Sequence, residues 1–245
     1  MYKRQAIQIW KRYWDDFYIE IENPSGERYV VPKGEGIYEF KSTDELIYVY
    51  VGTATPYSYN SEILIQIIPD NVYVKNGIWQ IMFYPDSIKD GKIDLWISGR
   101  TMLTGQTGFT SAVPETTLTI PSTSYRVITV GAYNGRTFSY APFSGRGNTK
   151  NLVTVKPDIS APGVDISAPY PGGGYRLASG TSVAAPFVTG AAAILMEWGI
   201  VKGNDFFMYG ERLKAKLIKD SIQNNGQNIW PNRLLGWGLL CLKII

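Results

Sequence analysis

The fold is decided by the stretch Tyr175-Arg-Leu-Ala-Ser-Gly-Thr-Ser182-Val-Ala-Ala-Pro-Phe-Val-Thr-Gly-Ala-Ala-Ala-Ile-Leu195. From Val183 to Trp198 the sequence is rich in alanine and nearly uncharged, and a helix that is apolar all round is a core helix. Pro186 predicts its beginning and Gly199 its end. A run of about 16 residues is shorter than the roughly 20 that cross a bilayer, so we expect a buried helix and no membrane span.

Ser182 lies at the entrance of this predicted helix. Unpaired N–H groups and the positive end of the helix dipole favour negative charge on oxygen there, which suits a nucleophile. A serine in this position can also be an N-cap, a purely structural role. The helix alone leaves both interpretations open, and the flanking sequence decides between them.

The motifs around Ser182 follow one another in a set order. They are Val130-Gly-Ala132, Phe143-Ser-Gly-Arg-Gly147, Lys156-Pro-Asp-Ile-Ser-Ala-Pro-Gly163, Gly173-Gly-Tyr175 and Gly180-Thr-Ser-Val-Ala-Ala-Pro186. Together they resemble the subtilisin-like serine proteases, or subtilases. The resemblance implies a serine endopeptidase in which Ser182 is the catalytic nucleophile and forms an acyl-enzyme with a protein or peptide substrate. It also implies that Thr181 and Ala184 shape the pocket around it.

Motifs further along the chain narrow the resemblance. These are Met196-Glu-Trp-Gly-Ile-Val-Lys-Gly-Asn-Asp205, Tyr209-Gly-Glu211, Trp230-Pro-Asn232 and Gly236-Trp-Gly238. They are similar to those of the clostridial Csp-type subtilases, which carry a jelly-roll domain between their catalytic His and Ser and are associated with spore germination. The resemblance therefore implies a cytoplasmic or spore-associated protein.

The first hundred residues have the pattern of consecutive β-strands. Runs rich in β-branched and aromatic residues are separated by Gly, Pro and Asn, and Lys89-Asp-Gly91 predicts a hairpin between the last two. The predicted strands are 17–22, 28–31, 36–40, 46–51, 63–68, 77–84 and 93–97. This pattern predicts a jelly-roll-like β-sandwich, whose tyrosines and tryptophans form either its core or a carbohydrate- or peptide-binding face.

The predicted fold class is therefore mixed. We expect the all-β sandwich to occupy residues 1–112 and the C-terminal part of an α/β subtilisin-like domain to occupy 113–245. In the second domain, β-branched runs predict buried strands at 126–131 and 152–155. Charged and apolar residues at helical spacing predict a helix over 211–222.

Composition excludes several classes of function. The chain has 245 residues, 44% of them hydrophobic and 18% charged, with a net charge of +3. The basic residues are scattered, with a local excess at Lys3, Arg4, Lys11 and Arg12 that we interpret as a solvated face, so no nucleic-acid partner is expected. A single cysteine, Cys241, leaves no disulfide framework. The N-terminal residues have no apolar signal-peptide core, and no motif predicts a cofactor or a metal site.

The chain contains no histidine, whereas a Ser-His-Asp mechanism needs an imidazole to take the serine proton. Two further motifs of subtilases are also missing. Asp15, Asp16 and Asp44 lack the Asp-Thr/Ser-Gly signature of the catalytic aspartate, and the Ala-x-Gly-Asn segment that carries the oxyanion asparagine is absent. We therefore expect the C-terminal portion of a protease, inactive alone and dependent on a second chain or a missing N-terminal half. The alternative is a non-catalytic pseudoprotease that acts as a binding or scaffold module through its sandwich.

Overall fold

The structure is a computed structural model that describes residues 4–70, 73–98, 107–147, 155–223 and 229–243. Within these residues the chain is mostly β-sheet, with twelve strands and two α-helices. By contacts within the chain it divides into two compact units, Met1–Ala112 and Val113–Ile245.

The first unit is built only from strands in its described residues. They are β1 Gln5–Arg12, β2 Asp16–Glu22, β3 Arg28–Val31, β4 Gly36–Lys41, β5 Glu45–Val51, β6 Asn60–Pro69, β7 Gln80–Ser87 and β8 Ile93–Ile97. One antiparallel sheet has the order β4-β5-β6-β1-β8, and the other has the order β3-β2-β7. The predicted strands are thus present, with boundaries shifted by a few residues.

A single hydrophobic core joins the two sheets. Alternate residues of β6 point inward, and Ile65 is fully buried together with Ile47 of β5 and Ile9 of β1. From the other sheet, Ile19 and Val31 enter the same cluster. Because the side chains of a strand alternate between its two faces, the period-two pattern of the sequence places these residues inside. The first unit is therefore a β-sandwich.

One strand of this unit was not predicted, and one expectation is wrong. Gln5–Arg12 forms strand β1, which lies between β6 and β8 in the larger sheet. Lys89-Asp-Gly91 does not close a hairpin, because β7 belongs to the smaller sheet and β8 to the larger one. This connection instead carries the chain from one sheet to the other.

Asp15 fixes that connection from inside the unit. Its buried carboxylate accepts hydrogen bonds from the backbone N–H groups of Lys89 (2.7 Å), Asp90 (3.0 Å) and Gly91 (2.9 Å). Burial alone would raise the pKa of Asp15, but the three N–H groups and nearby Lys11 outweigh it and hold that pKa below its ordinary value. A charged carboxylate thus replaces the cross-strand bonds that a hairpin would make.

The second unit combines short strands with the two helices. Its elements are β9 Val130–Tyr133, β10 Ile159–Pro162, β11 Ile166–Pro169, β12 Tyr175–Ala178, α1 Thr181–Met196 and α2 Gly210–Asp220. β9 and β10 are parallel neighbours, and β11 and β12 form an antiparallel pair. The helix predicted over 211–222 is confirmed as α2. Of the strand predicted at 152–155, residues 152–154 lie outside the described residues.

Strand β9 begins later than the strand predicted at 126–131. The N–H of Thr129 donates to the Asp158 carboxylate at 2.7 Å. Its carbonyl accepts from the backbone N–H groups of Asp158 at 2.9 Å and of Ile159 at 3.3 Å. A side chain therefore takes the place of a strand neighbour just before β9.

Candidate functional site

Ser182 lies in the first turn of α1, and its side chain is exposed. The residue at the N-cap position is Gly180, and no side chain caps the helix. Ser182 is therefore not the N-cap of α1. Helical N–H groups in a first turn lack intrahelical partners, so negative charge on an oxygen near Ser182 is favoured.

A close contact between two loops sets the entrance of α1. The N–H of Gly180 donates to the carbonyl of Gly163 at 2.8 Å. A Cβ on Gly163 would come within 2.8 Å of the Ala132 Cβ and 2.9 Å of the Gly180 carbonyl oxygen. Only glycine allows this approach, so the Ala-Pro-Gly163 motif has a mechanical role: it holds the turn that presents Ser182.

The buried side of α1 rests on the two parallel strands. Ala184, Val188, Ala191 and Leu195 are buried, and they share a cluster with residues of β9 and β10. Ala184 and Ala191 are small, which lets the helix approach the strands closely. This contact holds the alanine-rich helix in the second unit. It also fixes the position of Ser182 relative to β10.

The rest of α1 is less covered than the sequence predicts. Phe187 and Ile194 are 42% and 44% exposed, and Met196 is also exposed. A Cβ on Gly190 would meet no atom within 4 Å. The run is thus a helix with one buried face, and its apolar remainder is uncovered in the second unit.

Neither predicted helix boundary is correct. The helix starts at Thr181, and Pro186 follows in its second turn, where the missing proline N–H leaves the Ser182 carbonyl without its usual helical donor. Gly199 does not end the helix, which continues as a π-helical turn over Glu197–Val201. A Cβ on Gly199 would lie 2.5 Å from the Met208 Cβ. Gly199 therefore serves packing against the following loop.

This continuation changes the argument about membranes. Thr181–Val201 forms a helical stretch of 21 residues that is long and apolar enough to cross a bilayer by length and composition. The length expected from Gly199 was too short, so the argument from length is wrong. Core helices of soluble proteins meet the same criteria, and α1 packs on β9 and β10 through its one buried face.

A cavity of about 420 Å³ borders the entrance of α1 at Thr181. Hydroxyl groups form much of its wall, contributed by Thr117, Thr119, Ser122, Thr129, Ser144 and Thr181. Two segments of the wall are tied together, since Thr117 N–H donates to the Arg146 carbonyl at 2.9 Å and Arg146 N–H to Thr117 Oγ1 at 2.9 Å. The cavity therefore has a defined polar wall that includes Thr181, the residue before Ser182.

Asp15, Asp16 and Asp44 have partners of their own within the sandwich. Asp15 holds the β7–β8 connection, while Asp16 and Asp44 pair with Lys33 and Lys75 on the sandwich. In the second unit Asp165 lies on the loop after Gly163, and its Oδ1 accepts from Ser179 Oγ at 3.3 Å. Among the described residues, no three His, Cys, Asp or Glu side chains cluster in a way that could hold a metal ion.

Comparisons with known proteins bear on this site. Residues 104–238, more than half of the chain, match the sequence profile of the subtilase family. The PII-type proteinase of Lactococcus lactis subsp. cremoris is 37% identical over 86 residues, which are 35% of this chain and 4% of that protein. Subtilisin-like serine protease Pen ch 13 of Penicillium rubens is 67% identical over 39 residues, which are 16% of this chain and 10% of that protein.

A solved structure extends the similarity to nearly the whole chain. The CspB protease of Clostridium perfringens superposes with a TM-score of 0.87 and 34% sequence identity. The match covers 98% of this chain and 50% of that one. The chain thus spans half of the length of that protease, and a much smaller share of the two proteinases above.

Proposed function

Since the chain belongs to the subtilase family, we propose that Ser182 is the nucleophile of a serine endopeptidase that hydrolyses peptide bonds through an acyl-enzyme. The observation that carries the proposal is the place of Ser182, exposed in the first turn of α1 directly after the Gly180-Thr181 turn. The helix N-terminus stabilises negative charge, and the polar cavity at Thr181 offers space beside the nucleophile.

We propose that the chain is inactive alone. Its 245 residues include no histidine, so no imidazole is available to accept the Ser182 proton. In subtilisin, loss of the nucleophile or of the histidine lowers turnover by about 10⁶-fold. Activity at Ser182 then requires an Asp, a His and an oxyanion donor from elsewhere.

Those groups would come from a missing N-terminal half or a second chain. Two observations support this part of the proposal. The chain matches half of the CspB protease, and α1 exposes Phe187, Ile194 and Met196. The parallel strands β9 and β10 form only a two-stranded sheet within the described residues, whereas parallel sheets are normally covered on both faces. The absent segment would cover the exposed side of α1 and complete the sheet.

The finer domain assignment is also a proposal. We assign residues 1–112 to an inserted domain of jelly-roll type and residues 113–245 to the C-terminal part of the catalytic domain. The two antiparallel sheets around one core support the first assignment, and the profile match over 104–238 supports the second. A role in spore germination rests only on the resemblance to Csp-type subtilases.

Labelling with a fluorophosphonate probe tests the function. The chain would be co-expressed with the polypeptide encoded upstream of Met1, provided that its sequence carries the subtilase Asp and His motifs. We expect labelling of the assembled protein, none of the chain alone and none of Ser182→Ala. Exposed Ser124→Ala is the matched control and should label like the parent.

The competing function makes the opposite prediction. A pseudoprotease or scaffold would assemble with the same polypeptide but show no labelling that depends on Ser182. Assembly confirmed by gel filtration, without such labelling or peptide cleavage, would therefore contradict an endopeptidase and favour a binding role.

A further inference from the structure

Four aromatic side chains that peptide hydrolysis at Ser182 does not use meet at one end of the larger sheet of the sandwich. Tyr13 and Trp14 lie between β1 and β2, and Tyr57 and Tyr59 lie between β5 and β6. Tyr57 is 97% exposed, Tyr59 is 69% exposed and Tyr13 is 55% exposed. Apolar side chains scattered singly on a surface need no explanation, but a group of exposed ones marks an interaction site.

The three tyrosines line a concave surface of about 410 Å³, which we call the aromatic groove. Ligand sites commonly have volumes of about 300–1,000 Å³. The nearest cation in the sequence, Arg12, is paired with Asp90 at 3.5 Å. An uncharged wall is complementary to an uncharged ligand. Besides the tyrosines, the wall consists of small uncharged residues: Ala54, Thr55, Pro56 and Ser58.

Hydrogen bonds hold the two connections that form the aromatic groove. The Tyr13 N–H donates to the Tyr59 carbonyl at 3.0 Å, which joins one connection to the other. Within the second connection, the Ser58 N–H donates to the Thr55 carbonyl at 3.1 Å, and the Asn60 N–H donates to Ser58 Oγ at 3.1 Å. The backbone of the groove is therefore ordered before a ligand arrives, which lowers the cost of binding.

The angles between the rings indicate the shape of the ligand. The Trp14 ring makes an angle of 72° with the Tyr13 ring at a centroid distance of 4.9 Å, and an angle of 47° with the Tyr59 ring at 6.1 Å. Neither tyrosine is coplanar with the indole, so the cluster is not a flat platform on which a sugar ring could stack. Inclined aromatic rings are instead typical of grooves that bind proline-rich segments.

Hydrogen-bonding capacity favours the same ligand. Each tyrosine combines an apolar ring with an O–H donor, and the wall carries no carboxylate. Proline has a carbonyl acceptor but no backbone N–H. A polyproline II helix has no internal hydrogen bonds, so its carbonyls are open to donors from a partner. The donors of the aromatic groove thus match the acceptors of such a segment.

We propose that the aromatic groove of Tyr13, Pro56, Tyr57 and Tyr59 binds an uncharged proline-rich segment of a partner protein in the polyproline II conformation. Pyrrolidine rings contact the tyrosine rings, and phenolic hydroxyls donate to peptide carbonyls. The segment loses little conformational entropy on binding, because proline already restricts its backbone. This site lies within the first unit and does not depend on catalysis at Ser182.

Fluorescence anisotropy of a fluorescein-labelled decaproline peptide, titrated with the full chain, tests the proposal. We expect saturable binding by the parent chain. Tyr57→Ala and Tyr59→Ala should each weaken it by about tenfold or more, as loss of an aromatic anchor does. Both side chains are exposed, so both variants should keep the circular dichroism spectrum of the parent. Tyr73→Ala is the matched control: Tyr73 is also exposed but follows the other end of β6, and its removal should not change the affinity.

A labelled Gly-Ser peptide of ten residues controls for the contribution of proline and should not bind. No binding of decaproline, or equal binding of both peptides, would overturn the proposal. Unchanged decaproline affinity in both Tyr57→Ala and Tyr59→Ala would also overturn it, since the peptide would then bind elsewhere. Cellohexaose and chitohexaose, titrated against tryptophan fluorescence, test a saccharide site. Binding of either sugar that is lost in Tyr57→Ala, without binding of decaproline, would replace the peptide by a glycan.

Discussion

At the scale of single residues, the position of Ser182 depends on the absence of a side chain at Gly163. A Cβ there would meet the Ala132 Cβ and the Gly180 carbonyl oxygen, neither of which is the end of a flexible side chain. We expect Gly163→Ala to lower the free energy of unfolding of the second unit by about 1–3 kcal/mol, as overpacking does in cores. Urea unfolding of the full chain measures it.

The matched control is Gly190→Ala on the uncovered side of α1. A Cβ at this position has open space, so the substitution should raise the free energy of unfolding by about 0.5–1 kcal/mol through helix propensity. Equal midpoints for the Gly163→Ala variant and the parent chain would mean that the contact between Gly163 and Gly180 is not tight.

A second prediction at this scale concerns acid. The folded-state pKa of Asp15 is lowered, so its contribution to stability is complete above the ordinary aspartate pKa of about 3.9 and is lost as the pH falls through the lowered value. Asp15→Asn should therefore destabilise the sandwich at pH 7 and show a weaker loss of stability below pH 4.

Asp16→Asn serves as the comparison, since Asp16 is exposed and pairs with Lys33 on the surface. It should follow the parent chain closely. The urea midpoints of the parent chain and of Asp15→Asn would be measured from pH 7 to pH 2. If both midpoints fall equally below pH 4, Asp15 does not govern the loss of stability in acid.

At the scale of elements, the uncovered side of α1 predicts how assembly depends on one residue. Ile194 is 44% exposed, so Ile194→Lys should change the stability of this chain by less than about 0.5 kcal/mol. If the proposed second chain or N-terminal half covers this face, the same lysine becomes a buried unpaired charge, and assembly should weaken by about 100-fold or more. Titrated assembly, read by probe labelling, measures the difference.

Ile37→Lys is the control, because Ile37 is 73% exposed on β4 of the sandwich. It should assemble and label normally. Normal assembly of Ile194→Lys would show that this side of α1 stays open in the assembled protein.

The sequence predicts elements well where one local pattern dominates. Alternation places Ile47, Ile65 and their neighbours in the core, and helical spacing gives α2. β1 escapes this reasoning because its residues at the chain end carry charges, although Ile9 is fully buried. Pro186 and Gly199 mislead because tertiary contacts, with the strands and with Met208, override their usual roles at helix ends.

At the scale of the whole molecule, the sandwich has a core of its own. Each member of the hydrophobic cluster built on Ile9, Ile19 and Ile65 comes from the first unit. We expect residues 1–112 expressed alone to unfold cooperatively in urea with dispersed NMR amide signals. Broad signals and a gradual transition would mean that the sandwich needs the second unit to fold.

The site could be predicted only in part at this scale. The motifs around Ser182 indicate the family and the place of the proposed nucleophile in the chain, because the Gly180-Thr-Ser182 turn is a local feature. Asp158 pairs with both Lys156 and Lys214 in a cluster that is not local, since α2 brings Lys214 to a segment far away in the sequence. A sequence pattern does not predict such a long-range contact, even though Lys156 and Asp158 belong to one motif.

The apolar length of Thr181–Val201 has a consequence for biosynthesis. As this stretch leaves the ribosome, its 21 residues offer insertion machinery the same apolar length as a membrane span. The strands that receive its buried face, β9 and β10, precede it in the chain and are already synthesised when it emerges. Because β9 and β10 are synthesised before α1, the strands on which the helix packs are available when it emerges.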